Sequence, residues 1–213
     1  VVSAVTGHVL GGGCEIALHS DAVQAHAETY MGLVETSVGI IPAWGGCREL
    51  LLRASRTHSA AKGPAALSRA VFDIIAGAAK SSSALDARRL GYLRASDRIS
   101  MNRARLLADA KSRALDLANG YQAPVPQQPV LPGSSSAAAL TMTIEAAVRS
   151  GAVPAHDAVV GGVLAHVVTG GDSDLAQPCG EDSILDLECE GFMQLARGEK
   201  TLERMLSVLR RGR

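Results

Sequence analysis

The chain lacks any surplus of charge: 21 Lys and Arg face 21 Asp and Glu across 213 residues. That balance excludes the basic stripe expected of a nucleic-acid binder. It also lacks a long hydrophobic run. No apolar stretch approaches the ~20 residues that cross a bilayer, so no membrane span is expected. Its four cysteines, Cys14, Cys47, Cys179 and Cys189, follow no C-x-x-C spacing. That argues against a disulfide framework or a zinc site, and a reducing cytoplasm is the compartment expected. The six histidines, His8, His19, His26, His58, His156 and His166, show no metal-ligand spacing, so no metal is expected. Neither G-x-G-x-x-G nor G-K-S/T occurs, which excludes the dinucleotide and phosphate-loop fingerprints. No period of 20–50 residues repeats, which excludes solenoids.

What remains is 47% hydrophobic residues, enough for one large domain or two small ones. The opening "VVSAVTG" reads as a strand already in progress, as expected of a chain cut from a longer one. "AVQAHA" (22–27) and "TYMGLVE" (29–35) read as further extended pieces. Between the opening strand and "AVQAHA", "GGCEIALHS" (12–20) reads as a short helix. Helical spacing then dominates, over "GGCRELLLRAS" (45–55), residues 65–79, "SALDARRLGYL" (83–93) and 99–118. In the last of these, Leu106, Leu107, Ala110, Ala114 and Leu117 form the stripe, and Asn119-Gly120 stops it. "APVPQQPVLPGSSS" (123–136) has no periodicity and reads as an exposed Pro-rich arm. Helices are expected near 137–149, 155–168, 182–196 and 200–210.

"GHVLGGGCEIALHSD" (7–21) is the candidate site. Three glycines in an element are costly, at roughly 0.5–1 kcal/mol each relative to alanine, so they mark a turn or a close approach. A helix opening at Gly11, Gly12 and Gly13 would aim backbone N–H groups and its positive dipole end outward. Such donors can stabilise an oxyanion, with Glu15 on the first turn beside them. A glycine turn that packs a helix on a strand, with Glu15 a solvated acid, explains the same five residues. The adjacent residues "HSD" (19–21) cannot converge as a Ser-His-Asp triad.

Further residues tilt the choice. Glu35 follows in "YMGLVE", then comes Gly39-Ile40-Ile41-Pro42-Ala43-Trp44-Gly45-Gly46. With Asp21 between them, the order and spacing resemble the crotonase superfamily of enoyl-CoA hydratases and isomerases. The remainder, from "RISMNRARLLADAK" to "LDLECEGFMQLARGEKTLERMLSVLRRG", resembles the C-terminal hydratase part of a fatty-acid oxidation protein that also carries a 3-hydroxyacyl-CoA dehydrogenase. The resemblance implies an α/β fold: a partial crotonase-type ββα spiral over 1–96 holding both glutamates, then a mostly helical region over 97–213. It implies a lyase that adds water across the C2–C3 double bond of an enoyl-CoA thioester. Glu15 would handle the water, Glu35 the proton at C2, and the Gly12 N–H would serve the oxyanion hole. Gly11, Gly13 and Pro42 would shape the substrate site, and Cys14 would pack.

The family's first oxyanion donor lies in an "A-x-A-D/G" segment that is not found here, so a fragment with an incomplete, weak or inactive site is expected. Trp44 stands where many relatives have Gly. A non-catalytic crotonase-like module that needs a partner, or an isomerase, stays open as an alternative. No cofactor is expected in this chain, and NAD would belong only to a dehydrogenase part outside it. The partners implied are the acyl-CoA substrate and either further copies or the missing N-terminal or dehydrogenase parts. The closing "RRGR" (210–213) reads as a solvated tail.

Overall fold

A computed structural model describes residues 1–56, 62–173, 175 and 178–211. His58, and Gly212 and Arg213 of the closing tail, lie outside the described residues. The chain is α/β, with a small parallel sheet and a majority of helix. It divides into two compact units, one of Val1–Leu33 with Ala79–Pro126 and one of Val34–Ala78 with Gln127–Arg213. Both are discontinuous in sequence.

In the first unit, β1 (Val2–Leu10), β2 (Ala22–Gly32) and β3 (Arg98–Ser100) form a parallel sheet in that order. Helix α1 (Gly12–Leu18) connects the first two strands, while α4 (Ala84–Arg89) and α5 (Leu106–Ala118) pack on the sheet. The two extended pieces read at 22–27 and 29–35 are one strand, and it ends before Glu35. The break between them is a bulge: Val5 pairs with Ala25, but Gly7 pairs with Thr29. Thr29 holds it closed, its Oγ1 lying 2.6 Å from the His26 carbonyl oxygen and 3.2 Å from that of Val5.

The helix expected over 99–118 begins only at Leu106. Residues Arg98–Ser100 instead take sheet hydrogen bonds beside Gln24–His26, and Asn102 then caps a 3₁₀ turn by accepting from the Ala104 N–H at 2.9 Å. Only Leu106 and Ala110 of its apolar stripe are buried, and Leu107 stands 76% exposed.

The second unit is helical. It holds α2 (Gly46–Ser55), α3 (Pro64–Ala76), α6 (Ser134–Arg149), α7 (Ala155–Val168), α8 (Glu181–Ala196) and α9 (Glu199–Arg211). Helix α7 is the hub, packing against α2, α3, α6 and α8. Its Leu164, Ala165, Val167 and Val168 are fully buried. Where α7 and α8 cross, Gly191 permits close contact: a Cβ there would sit 2.7 Å from Val163 Cγ1 and 2.9 Å from Ile41 Cδ1. The Pro-rich segment is not exposed throughout. Leu131, Pro132 and Gly133 are buried, the Gly133 N–H donates to the Thr169 carbonyl at 2.8 Å, and Ser134–Ser136 already belong to α6.

Candidate active site

The glycine triplet sits at the junction of β1 and α1. Gly11 has φ 56°, a conformation that disfavours any side chain. Its N–H donates to the Gly32 carbonyl at 2.9 Å, tying the junction to the end of β2. Its carbonyl accepts from the N–H groups of Cys14 (2.8 Å) and Glu15 (3.0 Å), which closes the first turn of α1. Gly12 and Gly13 form that first turn. A Cβ on Gly13 would meet nothing within 4 Å, so packing within this unit does not require glycine there.

Glu15 is not a solvated acid. It is 4% exposed, beside the fully buried Cys14. The opposite end of α1 is held by a residue that the sequence reading did not single out. Arg94 donates through Nη1 to the carbonyls of Ser20 (2.9 Å) and Asp21 (3.2 Å), and through Nη2 to that of Leu18 (3.2 Å). A guanidinium there satisfies orphan carbonyls and complements the negative end of the helix dipole. Asp97 fixes Arg94 in turn, accepting its backbone N–H at 2.6 Å and that of Val23 at 2.9 Å. The only local signal was a charged pair three residues apart in "LRASD". Asp21 accepts from the Tyr121 hydroxyl at 2.9 Å.

Glu35 and Pro42 belong to the second unit. Glu35 does not end an extended piece; it opens a 3₁₀ turn, Glu35–Val38, closed by Gly39 at φ 87°. No residue of that turn is buried, although the Oε2 atom of Glu35 is shielded from solvent. The turn is therefore positioned by hydrogen bonds more than by packing. The Thr36 hydroxyl donates to the Ile75 carbonyl at 2.9 Å, and the Gly39 N–H to that of Thr36 at 3.0 Å. From α9, the fully buried Thr201 donates its hydroxyl to the Gly39 carbonyl at 3.1 Å, and Arg204 reaches the Thr36 carbonyl at 3.4 Å.

Pro42 is buried in the segment that leads to α2. At the head of that helix stands Glu188, fully buried on α8. Its Oε2 accepts from Gly45 N–H and its Oε1 from Arg48 N–H, each at 2.7 Å. The sequence offered no local hint of this cap, since the partners are 143 and 140 residues apart. Trp44 next to it is 70% exposed.

Gly11, Gly12, Gly13 and Glu15 thus share one junction of the first unit, and Glu35 and Pro42 one segment of the second. Among the described residues, no group of three His, Cys, Asp or Glu side chains is arranged to hold a metal ion. No helix of the described residues is long and apolar enough to cross a membrane.

Comparison with known proteins gives these features a context. Residues 1–65 match the family described as "Enoyl-CoA hydratase/isomerase". The chain is 37% identical over 215 residues to the "Probable 3-hydroxyacyl-CoA dehydrogenase" of Bacillus subtilis (strain 168), covering 100% of the chain and 27% of that protein. It is 28% identical over 210 residues to a "Putative fatty acid oxidation complex trifunctional enzyme" of Rickettsia felis, covering 99% of the chain and 26% of that protein. The chain therefore spans about a quarter of the length of the curated relatives it matches. In structure it is similar to carnitinyl-CoA hydratase from Mycobacterium avium, with TM-score 0.57 and 20% identity over 99% of this chain and 59% of that one. That likeness is one of fold.

Proposed function

We propose that this chain, whose residues 1–65 match the enoyl-CoA hydratase/isomerase family, is the hydratase portion of a fatty-acid oxidation protein of the cytoplasm. In this reading it adds water across the C2–C3 double bond of an enoyl-CoA thioester. The observation that carries the reading is Glu15, a carboxylate 4% exposed on the first turn of a helix that opens at three glycines.

The chemistry divides between two carboxyl groups. Glu15 takes a proton from water as the oxygen bonds to C3, and Glu35 gives its proton to C2. The water is consumed whole, and the two carboxyl groups then re-equilibrate their proton with solvent. Negative charge that develops on the thioester oxygen meets the Gly12 N–H at the positive end of α1. Losing one such donor typically costs ~2.7–4 kcal/mol of transition-state stabilisation. Gly11 supports the reading through its positive φ, which lets the backbone turn so that Gly12 opens the helix. Gly13 and Pro42 flank the thioester in the same reading.

The test is hydration of a short enoyl-CoA by the protein as encoded, followed by the loss of the conjugated thioester's ultraviolet absorption. Glu15→Gln and Glu35→Gln should each lower kcat by about 10²–10⁴, the usual contribution of a positioned acid or base. Full activity in both variants, or no hydration by the parent protein, overturns the proposal. Migration of the double bond without hydration would assign an isomerase instead.

A further inference from the structure

We infer that Thr201, backed by His156 and joined by Arg204, is a positioning residue that sets the Glu35 carboxyl for its proton transfer, an assignment that rests on the hydratase reading above. The turn that carries Glu35 has no buried residue to lock it. On one side it borders a cavity of about 440 Å³ lined by Thr36, Ser37, Ala78, Asp157, Arg204 and Ser207. Side-chain packing therefore leaves the turn room to shift.

Besides the bond from the Thr36 hydroxyl to the Ile75 carbonyl, a pair of hydrogen bonds from α9 reaches both ends of the turn. At the closing end, Thr201 Oγ1 donates to the Gly39 carbonyl at 3.1 Å. At the opening end, Arg204 Nη1 donates to the Thr36 carbonyl at 3.4 Å and pairs with Asp157 of α7 at 2.7 Å. These carbonyls belong to the backbone of the turn and of the glycine that closes it. Gly39 closes the turn at φ 87°, where side chains are disfavoured, and a Cβ there would lie 3.4 Å from both Thr201 Oγ1 and His156 Nε2.

The second layer has a defined direction. A hydroxyl carries one hydrogen, and that of Thr201 is spent on the Gly39 carbonyl. The contact of 2.9 Å between His156 Nε2 and Thr201 Oγ1 must then run from an Nε2–H to the hydroxyl oxygen. His156 from α7 and Thr201 from α9 thus form a directed chain that ends on the backbone of the Glu35 turn. Small misplacements matter in such a site, because a 1 Å error in a reacting group can cost about 10²-fold in rate.

The experiment is a set of variants in the protein as encoded: Thr201→Val, Thr201→Ser, His156→Ala, Glu35→Gln and Thr201→Val with Glu35→Gln, each assayed for enoyl-CoA hydration. Positioning predicts that Thr201→Val lowers kcat about 10–100-fold with KM within about twofold. Thr201→Ser should stay within about threefold of the parent, and His156→Ala should lose about 3–10-fold. In the Glu35→Gln background, Thr201→Val should cost nothing more. An equal loss in both backgrounds, or a serine variant as poor as valine, overturns the positioning role and leaves the hydratase reading intact. Undiminished hydration in Glu35→Gln overturns the hydratase reading itself and this inference with it. Should Thr201→Val not fold, His156→Ala with and without Glu35→Gln decides by the same comparison.

Discussion

Replacing Glu188 by Gln is the sharpest probe of how the second unit is held. The side chain keeps its size but loses one acceptor and its charge. Both carboxylate oxygens now accept backbone N–H groups at 2.7 Å, from Gly45 and from Arg48, at the positive end of α2. A glutamine amide offers one oxygen; its NH₂ then faces a backbone donor. That leaves a buried N–H unsatisfied, at about 1–3 kcal/mol, and weakens the surviving bond from charge-assisted to neutral, at roughly 1 kcal/mol more. The site admits no relief from water, because Glu188 is fully buried. The expected loss is ~2–4 kcal/mol, a large share of the ~5–15 kcal/mol that stabilises a typical domain. Denaturant unfolding should be followed by far-UV circular dichroism and by the fluorescence of Trp44. As the single tryptophan and the immediate neighbour of Gly45, it reports on this junction. Both probes should shift their midpoints together. A loss below about 0.5 kcal/mol, within the range of a neutral surface change, refutes the cap.

Other consequences follow from the same geometry. Arg94→Ala should destabilise the first unit by about 1–3 kcal/mol, since the carbonyls of Leu18, Ser20 and Asp21 lose a charged donor; an unchanged melting temperature contradicts this. Gly191→Ala should cost about 1–2 kcal/mol despite its better helix propensity, because its methyl group meets the stiff Val163; equal or greater stability in urea would sink the expectation. His156 is held below the ordinary imidazole pKa, first by burial, then by the cations of Arg204 and Lys200, with Asp157 acting in the opposite sense. Its unfolded form therefore binds a proton more readily, so its contribution is complete above pH about 6.5 and is lost as the pH falls through the folded pKa. Unfolding midpoints at pH 7.5 and 5.5 should differ more in the parent than in His156→Gln, and equal differences would contradict the assignment.

The sequence made the helix after the glycine triplet legible because a turn signal and an amphipathic stretch lie side by side, within seven residues. The later helices were legible for the same local reason, and the order Glu15, Glu35, Pro42 was carried by the family resemblance. Strand β3 was not, since three residues inside a stretch with helical spacing gain their conformation only from pairing with Gln24–His26. The 3₁₀ turn at Glu35 was hidden by the β-rich run before it, which stops at Gly32. Arg94, Glu188 and Thr201 were invisible for a different reason. Each is an ordinary polar residue on an ordinary segment, and its role is created by backbone groups at least 73 residues away.

The bulge in β2 obeys a parity rule with consequences for how this strand can change. From Val5 to Gly7 the first strand advances two positions, while its partner advances four, from Ala25 to Thr29. The excess is even, so the pleat resumes in phase: Val23, Ala25, Thr29 and Met31 are all fully buried, on either side of the irregularity. Removing Ala27 alone would put the strand out of phase and turn Met31 outward, since a one-residue slip exchanges the two faces. Removing Ala27 and Glu28 together would not. At this point the strand tolerates insertions and deletions in pairs, and a lost pair costs it less than a lost residue.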